Sequence, residues 1–175
     1  MITGIVLAAG AGTRYGLPKV LAADGRWLQA AVDALHGGGC DEILVVLGAA
    51  EAPIPEGAQR VLAIDWAGGL SASLRAGLAA ASGSAAVITL VDTPDVHAAV
   101  VARVLAGAPL ARAVYDGRPG HPVVIAREHW DAVSRSATGD SGARAFLASR
   151  TDVVAVECGD LATGVDHDRS SGCSS

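Results

Sequence analysis

Short, unbroken apolar runs alternate along this chain with longer stretches of helical spacing, and few folds can bury such a pattern. Residues 2–8, Glu42–Leu47 and 86–91 carry almost no polar alternation. Strands of that kind must be covered on both faces, which implies a mostly parallel sheet between two layers of helix. Weaker strand signals occupy 60–64, 111–115, 123–126 and 153–156, and 117–122 reads as a turn. Helical spacing predicts helices over 27–35, 71–81, 96–105 and 141–149, the second opened by Ser71 as N-cap. The expected class is α/β: a single-domain, three-layer αβα fold with a mostly parallel, Rossmann-like sheet. One domain fits residues 1–168, and 169–175 reads as a polar tail.

The core of such a domain has to be aliphatic, because apolar residues make up 51% of the chain and aromatics only 3%. A net charge of −5 argues against a broad nucleic-acid or membrane surface, so a polyanionic ligand would be held by a few local cations or a metal. Lys19 is the sole lysine. Cys40, Cys158 and Cys173 show no metal-ligand spacing, and their odd number suits a reducing compartment. The N-terminal apolar run is short and lacks a basic flank, and no stretch approaches the roughly 20 apolar residues of a membrane span. A soluble, cytoplasmic protein is the expectation.

Parallel sheets collect ligands at the carboxyl ends of their strands. Here those ends carry three chemically suggestive segments. LAAGAGTRYGLPK, residues 7–19, places glycines directly after the first strand, where backbone N–H groups can approach phosphate oxygens. Arg14 and Lys19 add two cations suited to a triphosphate. Gly10, Gly12 and Gly16 space as G-x-G-x-x-x-G, which is not the dinucleotide fingerprint, and Leu17-Pro18 before Lys19 breaks the P-loop pattern. LVDTPDV, residues 90–96, ends a buried strand on Asp92, a hard oxygen ligand suited to Mg²⁺, while Asp95 reads as a cap for the next helix. DGRPGHPVVI, residues 116–125, can turn sharply and present His121, either as a ligand contact or as a satisfied loop histidine.

These segments resemble those of the nucleotidyltransferases with a GT-A-like α/β fold, whose signature is L-A-[AG]-G-x-G-x-R-x-G-x-x-K. Within that group the chain is similar to the molybdenum cofactor cytidylyltransferases and their close relatives. DWAGGLSASLRAGL (65–78), the G-H-P-V of residues 120–123 and GDSGAR (139–144) carry the resemblance to the molybdopterin branch. It implies nucleotide contacts from Leu7, Ala8, Ala9, Gly10, Gly12, Thr13, Arg14 and Lys19, and from Ser71, Ser73 and Arg75. For the last three, an ordinary capped helix is an equal reading of the residues alone. It implies acceptor contacts from Gly120, His121, Pro122 and Arg144, with Asp140 as a helix cap. Arg14, Lys19 and Asp92 are the implied catalytic residues.

The family's closing D-[IV]-D segment supplies a second metal ligand, and that role falls on Asp166 or Asp168. Gly164 stands where the family has its first Asp, a departure from the pattern. The resemblance implies Mg²⁺ as cofactor and transfer of CMP from CTP to the phosphate of molybdenum-molybdopterin, with pyrophosphate released and a molybdoenzyme as client. Leu7-Ala8-Ala9-Gly10 leans toward CTP over GTP. Guanylyl transfer, another small phosphate acceptor, or a non-catalytic protein that delivers the cofactor remain open.

Overall fold

The computed structural model describes residues 1–107 and 109–167, so Asp168, Cys173 and the polar tail lie outside the described residues. Seven strands form one sheet: β1 (Ile2–Leu7), β2 (Glu42–Leu47), β3 (Gln59–Leu62), β4 (Ala85–Leu90), β5 (Leu110–Tyr115), β6 (Arg118–Ala126) and β7 (Val154–Glu157). Their order is β3-β2-β1-β4-β6-β5-β7, and every pairing is parallel except those of β6 with β4 and β5. Helices α1 (Arg26–Gly37) and α3 (Ala98–Leu105) cover one face, and α2 (Leu70–Ala80), α4 (Trp130–Ser136) and α5 (Arg144–Ala148) the other. The three-layer α/β architecture is the expected one.

Successive strand residues feed opposite layers, which is why the runs lack polar alternation. Ile5 and Leu7 pack with Leu44, Val46, Leu74 and Ile88, whereas Val6 packs with Leu35, Val45, Leu47 and Val101. Truncating a fully buried Leu such as Leu35 or Leu74 to Ala costs about 2–5 kcal/mol at sites of this kind. Cys40 and Cys158 are buried free thiols, and burial, with Asp41 alongside, pushes Cys40 up to about 12. No helix among the described residues is long and apolar enough to cross a membrane.

Several expectations need correction. Helix α2 begins at Leu70, so Gly69 is its N-cap and Ser71 lies inside its first turn. Asp140 does not cap its own segment: Thr138 closes a capping box over the 3₁₀ turn Gly139–Ser141, and Asp140 Oδ1 accepts the Leu70 N–H (3.4 Å) at the start of α2. Asp95 does not cap α3, whose N-cap is His97. The helix expected over 141–149 is confined to Arg144–Ala148, and α4 was not foreseen. Strand β6 reaches back to Arg118, so most of 117–122 is strand, its prolines accommodated by an irregularity opposite Arg112 and Val114.

Candidate active site

The sheet order puts β1 between β2 and β4, so chain direction of the crossovers reverses at β1 and a crevice opens above its end. Leu7 pairs with Leu90, and the glycine loop and Asp92 therefore leave neighbouring strands side by side. Lys19, where the loop runs into a 3₁₀ segment, forms an ion pair with Asp92, and both side chains are largely buried. One contact thus joins the end of the loop to the carboxylate past β4.

The loop folds on itself. Tyr15 and Gly16 N–H groups donate to the Gly12 carbonyl (3.0 and 2.8 Å), and Gly12 adopts φ +64°, the left-handed region. A Cβ on Gly12 would lie 2.6 Å from the Leu17 carbonyl carbon, a backbone atom with no room to yield. At Gly10, by contrast, an added Cβ meets nothing within 4 Å. Leu7, Ala8 and Ala9 are buried, while Gly10, Thr13 and Arg14 are exposed above them. Ala49 N–H donates to the Ala9 carbonyl (3.0 Å), and Trp66 packs within reach of Ala9 across Gly48, bringing the start of α2 to the loop. Ser71 and Ser73 are buried there, and the Ser71 hydroxyl has no hydrogen-bond partner among the described residues.

Arg75 is not brought to the loop. Its guanidinium donates to the Ala137 carbonyl (2.8 Å) and ties α2 to the segment after α4. The bond spans 62 residues of sequence, and the nucleotide contact expected of Arg75 stays a proposal.

The C-terminal segment closes the far side without a helix. Asp95 Oδ2 accepts both the N–H (2.7 Å) and the hydroxyl (2.5 Å) of Thr163, His97 Nε2 bonds the Leu161 carbonyl (3.0 Å), and His167 N–H donates to the Asp92 carbonyl (3.0 Å). The His167 ring also packs at a tilt against Trp27, which packs at a tilt against Tyr15 of the loop, with ring centroids 5.2 and 5.4 Å apart. Asp166, exposed and one residue earlier, is thereby delivered to the neighbourhood of Asp92. Among the described residues no group of three or more His, Cys, Asp or Glu side chains converges on a metal.

Gly164 stands in place of the family's Asp for a steric reason. It has φ +61°, and a Cβ would come 2.5 Å from Cζ of the Tyr115 ring. Gly164→Ala should therefore push the segment carrying Asp166 and His167 off Tyr115, at a cost of about 1–3 kcal/mol. Thermal unfolding a few degrees below wild type is the expected reading, and an unchanged midpoint would show that the segment is not held by this contact.

Tyr115 also fixes the His121 peptide, its hydroxyl donating to the His121 carbonyl at 2.5 Å. Gly120 packs on the same ring, and the His121–Pro122 bond is cis. Burial, then the Arg112 and Arg144 charges, hold the His121 imidazole down at about 4, so the ring is neutral at pH 7. Arg144 opens α5 and is exposed. Arg112 escaped the sequence reading, although a charge inside the apolar run LARAVY was a signal. Tyr15, Trp27 and Tyr115 were likewise not singled out.

Comparison with known proteins agrees with this arrangement. Residues 4–154 match the MobA-like NTP transferase domain. Nicotine blue oxidoreductase of Paenarthrobacter nicotinovorans is 36% identical over 187 residues, covering 95% of this chain and 92% of that protein. The crystal structure of Rv0371c from Mycobacterium tuberculosis H37Rv is 29% identical, with a TM-score of 0.76 over 94% of this chain and 92% of that one. Its complex with manganese is 28% identical, with a TM-score of 0.73 over 95% and 93%. A nucleotidyl transferase from Methanothermobacter thermautotroptrophicus, 24% identical, shares the fold at a TM-score of 0.81 over 97% and 92%. A match that begins inside β1 and ends where β7 starts takes in the glycine loop, Asp92 and the His121 strand alike: this chain belongs to the MobA-like NTP transferase family.

Proposed function

We propose that the chain transfers CMP from CTP to the phosphate of a molybdopterin-type acceptor, releasing pyrophosphate, and that the product passes to a molybdoenzyme. The observation that carries this reading is the Lys19–Asp92 pair, which joins the open glycine loop to a buried carboxylate at adjacent strand ends. Backbone N–H groups around Gly10, with Arg14 and Lys19, would hold the triphosphate and the leaving pyrophosphate. Ser71 and Ser73 sit where the start of α2 meets the loop and would contact the nucleotide. A divalent cation, Mg²⁺ by this reading, would be held by Asp92 with Asp166 and would neutralise charge on the phosphates.

An acceptor phosphate needs no general base. Its second pKa is near ~6, so it is already largely dianionic at pH 7. Gly120, His121, Pro122 and Arg144 would position it for in-line attack on the α-phosphorus. Most of the acceleration then comes from alignment and charge neutralisation. Incubation with each of the four NTPs, Mg²⁺ and acceptor, following pyrophosphate, tests the proposal. CTP should give the fastest release, and GTP doing so would reassign the base.

A second reading rests on the 36% identical relative, which is an oxidoreductase. Here the chain would reduce an organic acceptor seated on the His121 side. Consumption of a reduced nicotinamide with a dye acceptor, in the absence of pyrophosphate release from every NTP, would favour it.

A further inference from the structure

Arg112, Val123 and Ile88 lie in one row across β5, β6 and β4, because Arg112 pairs with Val123 and Val123 with Ile88. Directly paired residues share a face, and Val123 and Ile88 both belong to the apolar layer under α2, α4 and α5. Arg112 is therefore a cation rising from inside a hydrophobic layer, half-buried, and its Nε is fully buried with no hydrogen-bond partner among the described residues. His121 lies two residues further along β6 toward the rim, about 7 Å at strand rise. Arg144 opens α5, whose Phe146 and Leu147 are buried in the same layer.

The charges acting on Arg112 and His121 are all cationic: burial and Arg144 weaken Arg112's hold on its proton, and burial, Arg112 and Arg144 do the same to His121. Three other arginines have carboxylate partners, Arg103 with Asp160, Arg150 with Asp152 and Arg60 with Glu51. A desolvated guanidinium kept beside a second one and a neutral imidazole is costly unless an anion joins them.

We propose that Arg112, with Arg144 and His121, forms a phosphate subsite for the acceptor, in which Arg112 is the residue that demands a phosphate rather than a neutral or singly charged group. The inference deepens the transferase reading by giving its acceptor side a charge requirement, and it rests on that reading for the identity of the reacting partner. The planar guanidinium fork can donate to two phosphate oxygens at once, and the neutral His121 ring offers one further N–H donor.

The test is titration of inorganic phosphate into the protein at pH 7, with CTP present to fill the glycine loop, reading the His121 ring resonances by NMR. A saturable His121 shift is expected, weakened about tenfold or more in Arg112→Gln and in Arg144→Gln and only partly restored in Arg112→Lys, which returns the charge without the fork. Arg144 is exposed, so its variant keeps the test open if Arg112→Gln misfolds. A His121 signal that phosphate leaves unmoved, or moves equally in wild type and both Gln variants, would overturn the subsite. Acetate moving it as strongly as phosphate would overturn the phosphate assignment. CTP binding is read separately from Trp27 fluorescence, so failure there defeats the transferase reading while leaving the phosphate result to stand or fall alone.

Discussion

Asp92→Asn should fold and yet release pyrophosphate about a thousandfold more slowly than wild type. The substitution keeps the size of a residue that is 8% exposed, so the strand ends stay packed. It removes the negative charge that pairs with Lys19 and that would anchor the cation. Losing a largely buried ion pair costs about 1–3 kcal/mol, partly relieved because the lysine stem is long enough to turn outward. Thermal unfolding should fall by a few degrees only. Pyrophosphate release within a few-fold of wild type would remove Asp92 from the chemistry.

Gly12→Ala should cost both stability and nucleotide affinity, whereas Gly10→Ala should cost affinity alone. At position 12 a methyl group overlaps the Leu17 carbonyl, in a backbone region that alanine avoids. The loop must open to relieve it, which carries Pro18 and Lys19 away from Asp92. Destabilisation of about 2–3 kcal/mol and a loss of at least about a hundredfold in CTP affinity are expected. At position 10 the methyl meets no protein atom, so unfolding should be unchanged, and any lost affinity reports a phosphate lying where the methyl now sits. Calorimetric titration of CTP into both variants decides the matter. If Gly10→Ala binds CTP like wild type, the backbone there does not cradle the phosphates.

The buried strands were plain in the chain itself, because a strand covered on both faces needs no partner to announce it. Glu42–Leu47 was read to the residue. Asp92 could be placed beside the glycine loop for the same reason: strand ends, not side chains, decide that proximity. Contacts made across long sequence separations were hidden. Arg75 looked like a cation at a helix start, and only the fold brings Ala137, 62 residues later, to its guanidinium. Asp95 and Asp140 each sat before a helical pattern and read as local caps, but their oxygens serve Thr163 and Leu70, 68 and 70 residues away. Helix α4 escaped because seven residues with two buried positions, Trp130 and Val133, make too short a period to stand out. Pro119 and Pro122 suggested a turn where β6 in fact continues.

The inverted direction of β6 divides the molecule's labour along a seam. To one side of β4, strands β1, β2 and β3 run the same way, and by the proposed function their tips would face the triphosphate. To the other, the reversed strand delivers His121 by its opening rather than its closing end, while Arg112 comes from β5 and Arg144 from the start of α5. If the proposed function holds, substitutions on the reversed side would retune which small molecule is received without disturbing the half assigned to the nucleotide.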